Sequence, residues 1–340
     1  MGRKLYDVVI IRSLAIVMVV AYHAYGLMYW GYFPDMTQRY TELYYGINQF
    51  ALNFRMPLFI FISGYLFSYL EGERGKYGTL VALVKNKLHR LMIPYFVFSL
   101  FYMLTTKSFS IVRLLNGDFS HLWFITMLFW CFVTTGLIRL FPWSRDIKLR
   151  LGILVGSFAL LFVEWNIPKV LGIQSLPLWF FWFYLGYVVS PYRERLYTFI
   201  LKHKYLLLLF LIVYVVELVY TMGHTITVEQ RTGWEKIAHL CIVLCVWYSI
   251  NWLIRTYPGK WMDNRVFSEL NKTSYGIYVI HYWYYPFFVS ATVKRLLPID
   301  LLAAEHTMLF PLLYFIFSLG LSYVMTKLLL KTRLGRYLIG

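Results

Sequence analysis

Apolar runs about as long as a bilayer is thick recur down this chain, and nothing else in it constrains the fold so strongly. A spanning helix needs about 20 mostly apolar residues. Ten such runs are present, near 8–30, 46–70, 87–106, 121–141, 150–166, 174–190, 204–222, 234–256, 273–293 and 308–330. Lipid offers no partner to a bare peptide group, so these runs read as helices. The expectation is an all-α polytopic membrane protein with about ten transmembrane helices. Residues 1–340 form a single transmembrane domain in this reading, with no appended soluble domain. The first run is too long for a signal-peptide core and no small-residue cleavage site follows it, so it should remain as a span. Pro177 lies in the sixth run, where a spanning helix tolerates it. The charged fraction of 14%, against about 25% in soluble domains, argues against an ordinary soluble enzyme, and the 60% hydrophobic content excludes disorder.

The charges give the orientation. A net charge of +17 can mark a nucleic-acid binder, but here the basic residues sit between the apolar runs. Assigned alternately to the two sides, 24 Lys and Arg fall on one side and 8 on the other, with Arg55 inside a run. The excess marks the cytoplasmic side and places both termini there. No nucleic-acid partner is expected. Most Tyr and Trp sit where interfacial belts would be, and the Gly152/Gly156 pair reads as a close helix contact. Cys131, Cys241 and Cys245 cannot form a disulfide framework. His239 with Cys241 and Cys245 falls short of the four ligands of a structural zinc site, so no metal is expected.

Ionisable side chains within spans are costly and therefore carry functional weight. They are Arg12, His23, Arg55, His121, Glu164, Glu217, His239 and His281. Arg12 and His23 are 11 residues apart, about 20° past three helical turns, so both lie on one face about 16 Å apart along the axis. Arg55, in the antiparallel second run, falls at a depth close to that of His23. Two groups result. Arg12, Lys87 and Arg90 form a cytoplasmic cationic group suited to phosphates. His23, Arg55 and His281 form a deeper group suited to proton transfer and oxyanion stabilisation, with His23 as general base or transient acyl carrier. His121 and Trp123 mark the outer side, as an interface anchor or an acceptor entrance. The arrangement suits an acyl-CoA whose phosphates stay with the cations while its pantetheine arm carries a thioester inward, and phosphate-bearing lipids would also fit the cationic group. Competing readings exist for each residue. His23 and His281 could be helix-packing residues, Arg55 could neutralise Glu217, and the three cytoplasmic cations could be topology signal alone.

Five segments carry a resemblance: Arg12 to His23, Phe54 to Tyr65, Lys87 to Tyr95, His121 to Phe124, and Ser274 to His281. In their residues and order they resemble the membrane-bound acyltransferase-3 family, across essentially the whole chain. The resemblance implies ten core helices, an acyl-CoA (acetyl-CoA) donor, and O-acylation of a cell-surface glycan or lipid-linked saccharide. It implies roles for Arg12, His23, Arg55, Lys87, Arg90 and His281, in a bacterial inner membrane and among its lipids. The chain departs from the family at Val9, where an acid is frequent, and at Lys87, where Arg is common. The competing readings are a flippase for a polyprenyl-linked glycan, with the same cations on its pyrophosphate, and a non-catalytic partner in polysaccharide assembly.

Overall fold

A computed structural model describes residues 5–30, 38–52, 54–107, 109–223, 234–283, 299–306 and 308–340. Regular structure among them is entirely helical. Fifteen α-helices follow in order: α1 Tyr6–Gly26, α2 Gln38–Leu52, α3 Arg55–Gly72, α4 Leu80–Lys87, α5 Ile93–Thr106, α6 Ile111–Asn116, α7 Trp123–Ile138 and α8 Ile147–Ala159. They continue with α9 Leu176–Lys202, α10 Tyr205–Gly223, α11 Trp234–Thr256, α12 Arg265–Ile280, α13 Ile299–Glu305, α14 Leu309–Lys331 and α15 Arg333–Ile339. A π-helical turn, Leu88–Met92, joins α4 to α5. A 3-10 turn, His281–Trp283, continues α12.

Among the described residues, five segments are long and apolar enough to cross a membrane: Tyr6–Gly26, Leu80–Thr106, Ile111–Ile138, Trp234–Thr256 and Leu309–Lys331. A sixth arises if Ile173–Lys202 and Tyr205–Thr221, bent by 89°, count as one span. Several sequence runs are shorter or broken for local reasons. The run near 46–70 becomes two helices, α2 and α3, and Pro57, which has no N–H for a helix-interior bond, stands just after the second begins. It is accepted in the first turn of α3, where no such bond is required. The run near 150–166 holds only the 13 residues of α8 before a short 3-10 turn. The run near 273–293 begins earlier, in the polar first turns of α12, and its second half lies outside the described residues.

The chain divides into two compact units: residues 1–56, 218–225 and 254–340, and residues 57–217 and 226–253. The first is built on α1, α12 and α14, which pack on one another, with α2 against α1. Small polar residues line these contacts. Ser13 donates to the Phe267 carbonyl at 2.9 Å. A Cβ on Gly276 would strike Thr326. Along α14, Ser318, Ser322 and Thr326 recur every four residues and are buried, whereas Leu312, Leu313, Ile316 and Phe317 are exposed. This pattern, polar side inward and apolar side outward, is the reverse of a soluble helix and fits lipid as the solvent.

In the second unit α3 and α9 cross at glycines. A Cβ on Gly64 would collide with the Phe183 carbonyl, and one on Gly186 with the Phe61 carbonyl. The Gly152/Gly156 pair does not do this. Both residues are exposed on α8 and face open space among the described residues. A GxxxG spacing permits close approach only where a partner helix lies on that face.

Candidate active site

In the first unit His23, in the last turn of α1, meets His281, the residue that ends α12. His23 Nδ1 lies 3.2 Å from His281 Nε2, and the ring centroids are 4.9 Å apart. The surrounding acceptors settle the tautomers. His281 Nδ1 is 2.7 Å from the Tyr278 carbonyl and 3.1 Å from that of Ile277. Carbonyls only accept, so His281 Nδ1 carries the proton and its Nε2 presents a lone pair. That lone pair receives the His23 Nδ1–H, which also lies 2.9 Å from the Val19 carbonyl. The basic nitrogen of His23 is then Nε2. His281 is buried, and its backbone carbonyl accepts from Ser318 Oγ at 3.1 Å. The pair is thus held from α1, α12 and α14 together.

Arg55 opens α3 in the same unit. Its guanidinium carbon lies 3.2 Å from the ring centroid of Tyr22, and the phenols of Tyr29 and Tyr278 are within electrostatic reach. Tyr22 and His23 are consecutive on α1, so one helical step presents a platform for Arg55 and then the paired imidazole. Asn48 of α2 fixes this corner by donating to the Tyr22 carbonyl at 3.0 Å and to the Tyr29 hydroxyl at 3.1 Å. Arg12 lies further back on α1, where its Nη2 donates to Ser274 Oγ of α12 at 3.0 Å. His23, Arg55 and His281 are therefore brought into one unit, with Arg12 on the same helix as His23.

The second unit holds the other four expected residues. Lys87 ends α4 and is buried, its ammonium 3.6 Å from the Phe132 ring centroid and 3.5 Å from the Tyr77 hydroxyl. No carboxylate pairs with it among the described residues. Arg90 lies in the π turn and is exposed. The π turn lacks the 3.6-residue register that would stack positions three apart on one face, so the two cations occupy different environments. Near them Arg139 pairs with Glu71 at 2.6 Å and donates to the Tyr77 carbonyl at 2.9 Å, and Glu71 accepts from Tyr187 at 3.0 Å. His121 is buried edge-on to Tyr102, with ring centroids 5.4 Å apart. Trp123 lies against Trp179 at 5.3 Å. His121 packs here as an interior side chain, and Trp123 is half-buried.

Sequence reasoning missed Tyr22, Tyr77 and Arg139. Tyr22 had a signal, since it lies inside the Arg12-to-His23 segment, next to its terminal histidine. Arg139 was counted only as a topology charge.

These features define a multi-pass helical membrane protein with a buried histidine pair beside an aromatic-bound arginine. A family model described as an acyltransferase domain matches residues 5–327, and the chain belongs to this membrane acyltransferase-3 family. Searches of curated proteins and of solved structures return no match to the chain.

Proposed function

We propose that this membrane acyltransferase moves an acyl group, acetyl by family default, from cytoplasmic acyl-CoA to a hydroxyl of a cell-surface glycan or lipid-linked sugar. In this reading the chain spans a bacterial cytoplasmic membrane ten times with both termini inside. The observation that carries it is the His23–His281 contact, which leaves a lone pair on His23 Nε2 in a chain of this family. His23 Nε2 takes the proton of the acceptor hydroxyl. The oxygen attacks the thioester carbonyl, forming the new C–O bond, and Arg55 stabilises the resulting oxyanion. The C–S bond then breaks, and the CoA sulfur leaves with the proton held by His23. His281 accepts the His23 Nδ1–H throughout and steadies the imidazolium, as the carboxylate does in a serine-protease triad.

The cations proposed for the donor's phosphates are Lys87 and Arg90 in the second unit and Arg12 in the first. A nearly buried ammonium without a carboxylate fits an anionic ligand. His121 and Trp123 remain the proposed acceptor entrance.

The test is acetyl transfer from acetyl-CoA by the purified protein in lipid nanodiscs. His23→Ala is expected to lower transfer by at least about 10²-fold while leaving folding intact. Full activity in that variant would overturn the assignment. Loss of the surface polymer itself in a knockout, with acylation otherwise unchanged, would favour a flippase.

A further inference from the structure

Beyond the histidine pair, α1 continues into a turn that ends at Trp30, whose N–H donates to the Gly26 carbonyl at 3.0 Å. Gly26 has no side chain, and the indole occupies that space. A Cβ on Gly26 would come within 2.5 Å of the ring. The seat fixes where the indole lies. Its centroid is 6.1 Å from His23, and the rings of Tyr22 and Tyr29 meet it edge-on at 5.7 Å. Tyr282, in the turn after α12, lies 5.0 Å from His23 at an interplanar angle of 75°. His23 thus contacts two half-exposed aromatic rings, and both rest on the buried cluster of Ala24, Leu27, Met28 and Tyr44.

Position along α1 separates this feature from the donor path. Arg12 lies three turns before His23, and Trp30 lies seven residues after it. A donor whose phosphates stay on the Arg12 side approaches His23 from behind. The group that meets His23 from the Trp30 side is the acceptor.

We propose that Trp30, seated on Gly26 and aided by Tyr282, is the platform on which the acceptor's pyranose ring lies, so that a ring hydroxyl is presented to His23. This rests on the acyl-transfer reading and names how its acceptor is recognised. The chemistry is that of the ring faces. One face of a hexopyranose carries several C–H bonds of slight positive character, and an indole face carries the negative lobe of its quadrupole. An acyclic polyol has the same hydroxyls but no such face. Trp30 is a specificity-determining and positioning residue here; it takes no part in proton transfer.

The experiment measures equilibrium binding of a panel of methyl hexopyranosides, with sorbitol as the acyclic control, to the full-length protein in nanodiscs. Wild type, Trp30→Ala, Trp30→Phe and Gly26→Ala are compared. Acetyl-CoA affinity and the thermal midpoint serve as folding controls. At least one pyranoside is expected to bind better than sorbitol. Trp30→Ala should weaken it about tenfold or more, Gly26→Ala should weaken it through displacement of the indole, and Trp30→Phe should retain most of it. Acetyl-CoA affinity should be unchanged in all three. Equal pyranoside binding by wild type and Trp30→Ala, no preference for rings over sorbitol, or a loss that tracks acetyl-CoA affinity would each overturn the proposal. Failure of the acyl-transfer reading shows separately, as a wild-type protein that binds pyranosides and acetylates none.

Discussion

His281 decides which nitrogen of His23 is basic, and its own tautomer is set by two backbone carbonyls rather than by another side chain. Replacing it with Ala removes the acceptor of the His23 Nδ1–H and lets the imidazole take either tautomer. We expect His281→Ala to lower kcat by about 10²-fold or more, in line with loss of a general-base function, with the KM for acetyl-CoA little changed. Steady-state kinetics in nanodiscs checks this, and a loss confined to KM would assign His281 to binding. His23, Arg55 and His281 were legible in the sequence because so few ionisable groups lie within the apolar runs. Their partners were not. Tyr22 and Trp30 are two of 30 tyrosines and 12 tryptophans, and their roles come from ring contacts that no spacing rule encodes. The depth inferred for Arg55 assumed one helix over the run near 46–70, whereas Arg55 opens α3.

At the scale of elements, helix existence was largely legible and helix contact was not. The Gly152/Gly156 spacing matched a known contact motif, yet the close crossing is made by Gly64 and Gly186, neither of which stands in a GxxxG spacing. Close approach depends on which helix arrives at a face, and that is a tertiary fact. Gly186→Ala should therefore drive a methyl group into the Phe61 carbonyl and destabilise the fold by about 1–3 kcal/mol or more. Gly156→Ala should be neutral or slightly stabilising, because Ala is the better helix former. Thermal midpoints of the two variants in the same detergent decide this; equal midpoints would remove the crossing from the energetics. A second contact joins α12 to α14. Glu269 pairs with Lys327 at 2.5 Å and with Lys272 at 3.4 Å. The bond from Lys327 is the main cause holding the Glu269 carboxyl down at about 2, below its ordinary 4.5, with Lys272 adding to it. A carboxyl lowered on folding stabilises the native state above its unfolded value, and that increment fades as pH falls toward the folded one. The midpoint of Glu269→Gln should lie below wild type at pH 7. The gap should shrink below about pH 4.5 and narrow in high salt, since exposed charges are screened. A gap independent of both pH and salt would show that Glu269 acts by packing alone.

For the whole molecule, orientation is written in the placement of charge rather than in helix length. Five or six segments meet a length-and-apolarity test among the described residues, because α3, α8 and α12 are short or begin in polar residues. The division of 24 cations from 8 does not depend on where each helix begins. It depends only on which loops alternate, and one missed span would invert every assignment after it. The positive-inside rule then requires that the connection holding Lys107 and Arg113 lie outside and that the one holding Arg145 and Lys148 lie inside. Lys107 and Lys148 are both exposed, and the three native cysteines are buried, so single-cysteine probes report without much background. Lys107→Cys is expected to react with a membrane-impermeant maleimide in intact cells. Lys148→Cys should react only after the membrane is permeabilised, and a fluorescent protein fused after Gly340 should fluoresce in the cytoplasm. Labelling of Lys148→Cys in intact cells would reverse the orientation. It would also place Lys87 and Arg90, at the opposite end of the Leu80–Thr106 segment from Lys107, on the side without CoA, so this one measurement bears on the donor site as directly as on the topology.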